Sequence, residues 1–265
     1  MNRALGWAAA GAAVLGLVFG AVSARANVRH FAYTYESGVL EKGEKEIELW
    51  TTWRSGRNTF YSRFQHRLEY EVGLSDSLMT ALYLNWRKTT DDSGSKSEFK
   101  GLSSEWKYEF MDSSANILDF AGYIELGLDT DEVALEAKLI TDKSFGSFRA
   151  AYNAVLEVVA APEAGKLKSH EVEAVHVGGL YFGSSPSCGF GVEGRVLSLY
   201  KGGDRMFTAI LAGPSFHVSK GDFWATLTVL SQLSATAEDP TRLTDGLELG
   251  DLERTNVRLL LSLPL

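Results

Sequence analysis

The sequence is poor in cysteine, in proline and, past its first residues, in long hydrophobic runs, and each shortage excludes a class of protein. Cys188 is the only cysteine, so no intramolecular disulfide can hold the fold together. The 265 residues include 5 prolines but 26 glycines, and 45% are hydrophobic, which is a globular rather than a disordered composition. No apolar stretch after residue 22 is long enough for a membrane-spanning helix. The formal charge of -8 and the lack of a basic stripe argue against a nucleic-acid partner.

The one long apolar run, at the N-terminus, has the form of a secretory signal peptide. Arg3 precedes an almost uninterrupted series of Ala, Gly, Val, Leu and Phe from Leu5 to Val22. Ala24 and Ala26 then supply small residues at the two positions that signal peptidase recognises. We therefore expect export and cleavage after Ala26. The alternative is a retained membrane anchor, which the small residues of the run and the A-x-A site disfavour.

The rest of the chain shows a two-residue alternation instead of a helical period. From Phe60 to Val72 the even positions are mainly apolar or aromatic, whereas the odd positions are mainly polar or charged. Such alternation is typical of a β-strand with one apolar face. Comparable segments run from Lys45–Trp53 to Thr255–Leu265. They predict about twelve strands of about ten residues, an even number of the kind that single-chain membrane barrels use.

The connections between these segments alternate between short turns and longer polar loops. A turn at Gly73–Ser77 would pair Leu68 with Leu82 and Phe64 with Trp86, so that the apolar faces of both strands coincide. Further short turns are expected near Ser113, Ser144, Ser185 and Gly221. Longer polar loops are expected at Thr89–Glu98 and Ser234–Glu253. With an even number of strands, both ends of the barrel sequence lie on the short-turn side, which is periplasmic in membrane barrels.

These patterns predict an all-β fold, namely a single antiparallel up-and-down transmembrane β-barrel with about twelve strands and periplasmic N- and C-termini. The predicted organisation is a cleaved signal peptide at residues 1–26, a periplasmic N-terminal segment at 27–44 and the barrel at 45–265. A soluble antiparallel sandwich, the alternative, would also alternate in hydrophobicity. The long uniform strands favour the membrane barrel, as do aromatic residues that recur near strand ends like an interfacial girdle. These aromatic residues are Trp53, Trp86, Trp106, Phe110, Phe148 and Tyr200.

The first third of the mature chain resembles a known family. The resemblance rests on Phe31–Glu36, Lys42–Glu44, Glu46–Trp50, Glu69–Asp76 and Ala81–Asn85. These stretches are similar to a largely uncharacterised family of proteobacterial outer-membrane barrels, related in style to outer-membrane proteins of the phenol-degradation meta-pathway, which are often described as transporters. The resemblance implies a barrel and a channel role. It implies no catalytic residues. The signal peptide and the barrel pattern together predict an outer-membrane location, with outer-membrane lipid and the barrel-assembly machinery as partners.

If the apolar face meets lipid, the charged face lines the interior of the barrel. The basic residues predicted to line it are Arg63, Arg67, Arg87, Lys107, Lys138, Arg149, Arg195 and Arg258. The acidic residues are Glu46, Glu48, Glu69, Glu71, Glu105, Glu109, Asp119, Glu125, Glu136, Glu157, Glu171, Glu173 and Glu193. Because acidic residues outnumber basic ones, an open pore would favour cations. We therefore expect a passive channel for small solutes; the alternative is a non-conducting structural or surface-interaction barrel whose lumen charges pair across strands.

No residue pattern points to catalysis, a cofactor or a metal. Only His170, between Ser169 and Glu171, has neighbours that resemble a catalytic arrangement, and adjacent strand residues point to opposite faces. An outer-membrane lipid-modifying enzyme is therefore the least favoured interpretation, and we predict no catalytic residues, no cofactor and no metal site. The segment 27–44 is aromatic and lies on the predicted periplasmic side, which makes it a candidate plug for the lumen.

Overall fold

The computed structural model describes residues 27–111, 116–163, 166–185 and 187–265. The barrel strands are β1 (Lys45–Ser55), β2 (Tyr61–Ser75), β3 (Leu78–Asp91), β4 (Gly94–Met111), β5 (Asp119–Leu128), β6 (Val133–Phe145), β7 (Phe148–Glu163), β8 (Lys166–Ser185), β9 (Cys188–Lys201), β10 (Asp204–Lys220), β11 (Phe223–Ala237) and β14 (Thr255–Pro264). Across these residues the twelve strands form one closed antiparallel barrel, in which each pairs with its neighbours along the chain and β1 pairs with β14. This closure confirms the predicted fold and strand number. The predicted signal peptide, with Ala24 and Ala26, lies outside the described residues.

The connection between β11 and β14 contains the remaining regular structure. It holds a short 3-10 helix at Pro240–Arg242 and a small hairpin of β12 (Leu243–Thr244) and β13 (Leu247–Glu248). In the described part of the chain, no helix is long and apolar enough to cross a membrane.

Alternation along each strand places apolar side chains on the outside of the barrel. Leu82 and Leu139 are 62% and 58% exposed although both belong to regular strands, whereas their chain neighbours Tyr83 and Lys138 are buried. A soluble sandwich would bury its apolar faces and hydrate its charged ones. The inverted distribution is that of a transmembrane barrel, whose outer band faces lipid.

The register of the hairpin formed by β2 and β3 differs from the prediction by two residues. Leu68 pairs with Leu84 instead of Leu82, and Phe64 pairs with Lys88 instead of Trp86. The turn is centred on Asp76–Ser77 rather than on Ser75, and a register shift lies between Gly73 and Ser75. Because the error is an even number of residues, it leaves every side chain on the predicted face.

The predicted loop at Thr89–Glu98 is wrong, because this stretch continues the hairpin of β3 and β4. Asp91 pairs with Gly94 across a tight turn, and the Asp91 side chain accepts a hydrogen bond from the Ser93 backbone N–H at 2.8 Å. The residues look loop-like in sequence because both faces of this extension are polar. The turn predicted near Ser113 falls outside the described residues.

The two ends of the barrel differ in their connections. At one end, where β1 begins and β14 ends, β2 joins β3, β6 joins β7 and β10 joins β11 through two-residue turns. This end is called the terminus end below. The opposite end, the loop end, carries the connection between β11 and β14 and the extended hairpin of β3 and β4.

Candidate functional site

Residues 27–44 are called the N-terminal segment below, and their central part lies inside the barrel. They enter at the terminus end, where the Asn27 backbone N–H donates to the Glu46 carboxylate at 3.0 Å. They leave at the same end, where the Gly43 N–H donates to the Gly73 carbonyl at 2.9 Å. Between these points, residues 31–37 are buried. The segment has no helix or strand of its own, so its backbone groups need partners on the barrel wall.

Glu193 accepts most of the backbone hydrogen bonds at the innermost part of the segment, residues 32–34. Its buried carboxylate accepts hydrogen bonds from the backbone N–H groups of Ala32, Tyr33 and Thr34 at 2.9, 2.9 and 2.7 Å. The hydroxyls of Thr34 and Thr228 donate to the same carboxylate at 2.9 and 2.5 Å. Glu193 is the sixth residue of β9 counted from the terminus end. One wall carboxylate thus satisfies three consecutive backbone donors deep inside the barrel.

Two further wall residues hold the returning half of the segment. The Asn153 side chain accepts from the Tyr35 N–H at 2.7 Å and donates to the Tyr35 carbonyl at 2.9 Å, which imitates the pairing of a neighbouring strand. Asp142 accepts from the Ser37 backbone N–H at 2.8 Å and from the Ser37 hydroxyl at 2.5 Å. The segment is therefore anchored on β6, β7 and β9 by side chains.

Glu36 of the segment forms an ion pair with the wall on β7, the strand that also carries Asn153. Arg149 on β7 donates to its carboxylate at 2.5 Å, and the backbone N–H of His30 donates to it at 2.7 Å. The His30 ring lies 2.9 Å away. Burial alone would raise the pKa of Glu36, but His30 and Arg149 together lower it below its usual range. Glu36 is therefore an ionised, paired carboxylate within the barrel.

Aromatic rings fill the centre of the interior around the segment. Tyr35 packs edge-on against Tyr123, with ring centroids 5.2 Å apart, and lies 6.0 Å from Trp50. The Arg29 guanidinium lies 3.9 Å from the Tyr35 ring centroid, and Lys138 Nζ lies 3.8 Å from it. Burial raises the pKa of Tyr35 to about 12, although these two cations act to lower it. The Lys138–Tyr35 contact thus binds the segment to the wall by a cation–π interaction, beside the hydrogen bonds between Asn153 and the Tyr35 backbone.

A cavity of about 410 Å³ remains on the loop-end side of the segment. Tyr33 and Tyr35 of the segment line one part of it, and Asp129 at the loop end lines another. The basic side chains around it are Arg54, Arg67, Arg87, Lys100, Lys138, Arg195 and Arg258. The acidic side chains are Glu125, Asp129, Glu132, Glu136, Glu157 and Glu173. The wall is therefore close to balanced in charge, unlike the lumen as a whole.

The sequence and this architecture agree with one family. Residues 23–264 match the model of a family of unknown function, DUF6662. The chain belongs to the DUF6662 family. No curated protein matches the sequence. The uncharacterised barrel family predicted from residues 31–85 is confirmed to this extent.

Solved outer-membrane barrels are similar to the DUF6662 chain in fold. An outer membrane channel from Pseudomonas putida F1, COG4313, superposes with a TM-score of 0.62 at 9% identity, over 86% of this chain and 98% of that one. The NanC porin superposes with a TM-score of 0.56 at 10% identity, over 83% of this chain and 100% of that one. At such identities the similarity establishes the architecture alone, and it agrees with the closed barrel described above.

The residues predicted to line the lumen of the DUF6662 barrel lie in three different surroundings. Those that border the cavity are Arg67, Arg87, Glu125, Glu136, Lys138, Glu157, Glu173, Arg195 and Arg258. Those buried or bonded in the half filled by the segment are Glu46, Glu48, Glu69, Glu71, Glu105, Lys107, Arg149 and Glu193. Those half-buried near strand ends are Arg63, Glu109, Asp119 and Glu171. The acidic excess therefore lies in the terminus half, whereas the cavity is nearly balanced.

Several interior charges of the DUF6662 barrel are paired. Arg67 forms an ion pair with Glu125, and Lys138 pairs with Glu136 at 2.7 Å. The Arg258 Nε donates to Thr52 Oγ1 at 2.9 Å, while its guanidinium lies 4.1 Å from the Tyr33 ring centroid. Such pairing rigidifies the wall and removes part of the charge that a solute would otherwise meet.

His170, which the sequence analysis singled out, does not form a catalytic arrangement with its neighbours. Its Nε2 is 4.0 Å from Glu132, and the two side chains are 46% and 40% exposed near the loop end. Sequence analysis missed Trp50, Tyr83 and Tyr123, which form the aromatic centre. Their signal was present, because each is a large aromatic residue on the inward register of its strand.

Proposed function

We propose that this protein is an outer-membrane channel for small solutes whose pore is closed by its own N-terminal segment. The observation that carries the proposal is the division of the interior into a terminus half filled by residues 27–44 and a cavity of about 410 Å³ beyond it. In this proposal the terminus end faces the periplasm, in agreement with export by a signal peptide and an even number of strands. The loop end then faces outwards.

The size and lining of the cavity support a small solute as cargo. Binding sites for small molecules range over about 300–1,000 Å³, and this cavity lies at the lower end of that range. The segment blocks the path from the cavity to the terminus end, and it is held by hydrogen bonds, ion pairs and cation–π contacts with the wall. Passage therefore requires the segment to undock. The resemblance to phenol-degradation transporters stays a prediction about the cargo.

Cation preference, in this proposal, is a property of the undocked channel. The acidic excess of Glu46, Glu48, Glu69, Glu71 and Glu105 lies in the half that the segment occupies. While the segment is docked, a solute meets only the balanced cavity wall. Once it leaves, the exposed carboxylates would attract cations.

A non-conducting barrel is the second candidate, and the same observation favours it. A segment with this many contacts, together with the pairs Arg67–Glu125 and Lys138–Glu136, closes the lumen in the docked state. In that case the loops would carry the function. The two candidates differ in whether the segment ever leaves the barrel.

Single-channel recording in planar bilayers tests the proposal. We expect rare openings for the wild-type protein, and frequent, cation-selective openings when Glu193→Ala and Asn153→Ala release the segment. Glu157→Ala, on the cavity wall, serves as the matched control and should leave opening rare. Folded, heat-modifiable variants that never conduct would contradict the channel. A wild-type protein that conducts as steadily as the variants would contradict the closure.

A further inference from the structure

Four glutamates form a square on the inner face of β1 and β2 near the terminus end. The register sets Glu46 opposite Glu71 and Glu48 opposite Glu69, and the two-residue spacing puts all four on one face. All are buried, none more than 3% exposed. Like charges directly opposite each other on neighbouring strands repel. Burial of this glutamate square therefore requires positive charge, whether a cation or protons.

The described residues supply only part of that charge. Glu46 accepts a hydrogen bond from the Ser262 hydroxyl, and Glu48 accepts one from the Trp50 indole at 2.8 Å. Among the residues that the structure describes, Arg29 is the cation whose ion pair reaches the square, with Nη1 3.8 Å from Glu48. Lys107 on β4 is also buried and interacts electrostatically with Glu48 and Glu71. Together the two cations leave about half of the negative charge of the four glutamates uncompensated.

Several carboxylate oxygens of the square have no hydrogen-bond donor. Both oxygens of Glu69, Oε1 of Glu48 and Oε2 of Glu71 are buried and accept no hydrogen bond within the described ranges. One oxygen each of Glu48, Glu69 and Glu71 lies within 4.8 Å of the other two. A buried carboxylate oxygen without a partner is costly. The point between these three oxygens is therefore where a positive ion would be most stabilised.

We propose that Glu48, Glu69 and Glu71 bind a divalent cation of the hard, oxygen-preferring class, with Ca²⁺ as the reference ion. Ca²⁺ binds oxygen at about 2.3–2.6 Å, so two of its ligands lie up to about 5 Å apart. The spacing of the three oxygens fits that limit. A donor set of carboxylates without His or Cys disfavours zinc and copper. The four glutamates of the square, one divalent ion, Arg29 and Lys107 also balance in charge.

The ion would fasten β1 to β2 beside the N-terminal segment. Its ligands come from β1 and β2, and Arg29 of the segment packs beside Glu48 and over the Trp50 ring, 4.6 Å from its centroid. Removal of the ion would restore repulsion across the β1–β2 hairpin. The proposal does not depend on the channel function, because metal content and thermal stability are measured without any transport.

Metal analysis of protein extracted from membranes tests the site. After equilibration with Ca²⁺ and gel filtration, we expect one equivalent per chain in the wild type. The double variant Glu69→Gln, Glu71→Gln should lose it, whereas Glu157→Gln, a matched change elsewhere in the interior, should keep it. Ca²⁺ should raise the thermal midpoint of the wild type but not of the double variant. Metal content that the double variant leaves unchanged would overturn the proposal, because the ion would then lie elsewhere.

Terbium luminescence tests the same site in the wild-type protein, without any variant that could fail to fold. The Trp50 indole donates to Glu48 and is placed to sensitise Tb³⁺ held by the square. We expect sensitised emission that saturates at one equivalent of Tb³⁺ and falls when excess Ca²⁺ displaces the Tb³⁺. A wild-type protein without such emission, and without bound Ca²⁺, would overturn the proposal and leave protons as the positive charge in the square.

Discussion

Replacing Glu193 by alanine should undock the N-terminal segment from the barrel wall. The carboxylate accepts hydrogen bonds from three consecutive backbone N–H groups, at 2.9, 2.9 and 2.7 Å. If the segment stayed docked without it, three buried donors would be unpaired at about 1–3 kcal/mol each, so the docked state would lose at least about 3 kcal/mol. An undocked segment recovers those bonds from water. A loss of about 3 kcal/mol raises the ratio of undocked to docked segment about a hundredfold.

Thiol labelling measures that ratio. Ala32 is completely buried, so a cysteine at this position is shielded until the segment leaves. The exposed native Cys188 must first be replaced, since it would react at once. In a Cys188→Ser, Ala32→Cys background, the rate of maleimide labelling in liposomes should rise about a hundredfold when Glu193→Ala is added.

Two companion variants separate the proposed cause from general damage to the barrel. Glu193→Gln keeps an acceptor oxygen and should give an intermediate rate. Glu157→Ala removes a carboxylate from the cavity wall and should leave the rate unchanged. If Glu193→Ala folds, as judged by heat-modifiable migration, and its thiol labels no faster than the parent, the segment is not held by this carboxylate and the reasoning fails.

Three further perturbations probe other contacts. Asn153→Ala removes two hydrogen bonds to the backbone of the segment, which should weaken docking by about 1–2 kcal/mol and speed thiol labelling about tenfold. An unchanged labelling rate would contradict the role of Asn153 as an anchor. Because His30 and Arg149 lower the pKa of Glu36 against the effect of burial, docking should be strongest above the ordinary value of 4.5 and weaken as pH falls towards the folded pKa. In the Arg149→Ala variant, docking should weaken at a higher pH than in the wild type. The measurement is the frequency of channel opening as a function of pH. Leu82→Arg, on the outer face, should destabilise the barrel in liposomes by about 2–4 kcal/mol in chemical unfolding, and no change would mean that Leu82 does not face lipid.

The strands were predictable because both of their faces are constrained. Leu82 must suit lipid and Tyr83 must suit the interior, so every second residue carries information and the period survives along the strand. The register was not predictable to the same degree. The turn after β2 could be centred on Ser75 or on Asp76–Ser77, and both choices keep the same faces. The choice depends on local turn geometry, which alternation does not report.

The contacts inside the barrel were beyond sequence analysis for a different reason. Glu193 and Glu157 occupy the same inward register, and nothing in the sequence tells the anchor from the cavity wall. The difference lies in the path of the N-terminal segment, whose sequence has no hydrophobic period.

The glutamate square was not predictable as a unit, although the pairs Glu46–Glu48 and Glu69–Glu71 are each visible in the sequence. Only the register of β1 against β2 brings them together, which is why no metal site was predicted.

The interior charged residues make different contacts, and these contacts determine which of the charges can affect transport. Glu193 and Arg149 are occupied by the segment, so in the proposed channel we expect them to control how often the pore opens rather than what passes. Glu125 is neutralised by Arg67 before any solute arrives. Arg195 instead borders the cavity, where a solute meets its charge even while the segment is docked. Selectivity and opening should therefore depend on separate residues, because a single lumen must both hold its closing segment and recognise its cargo.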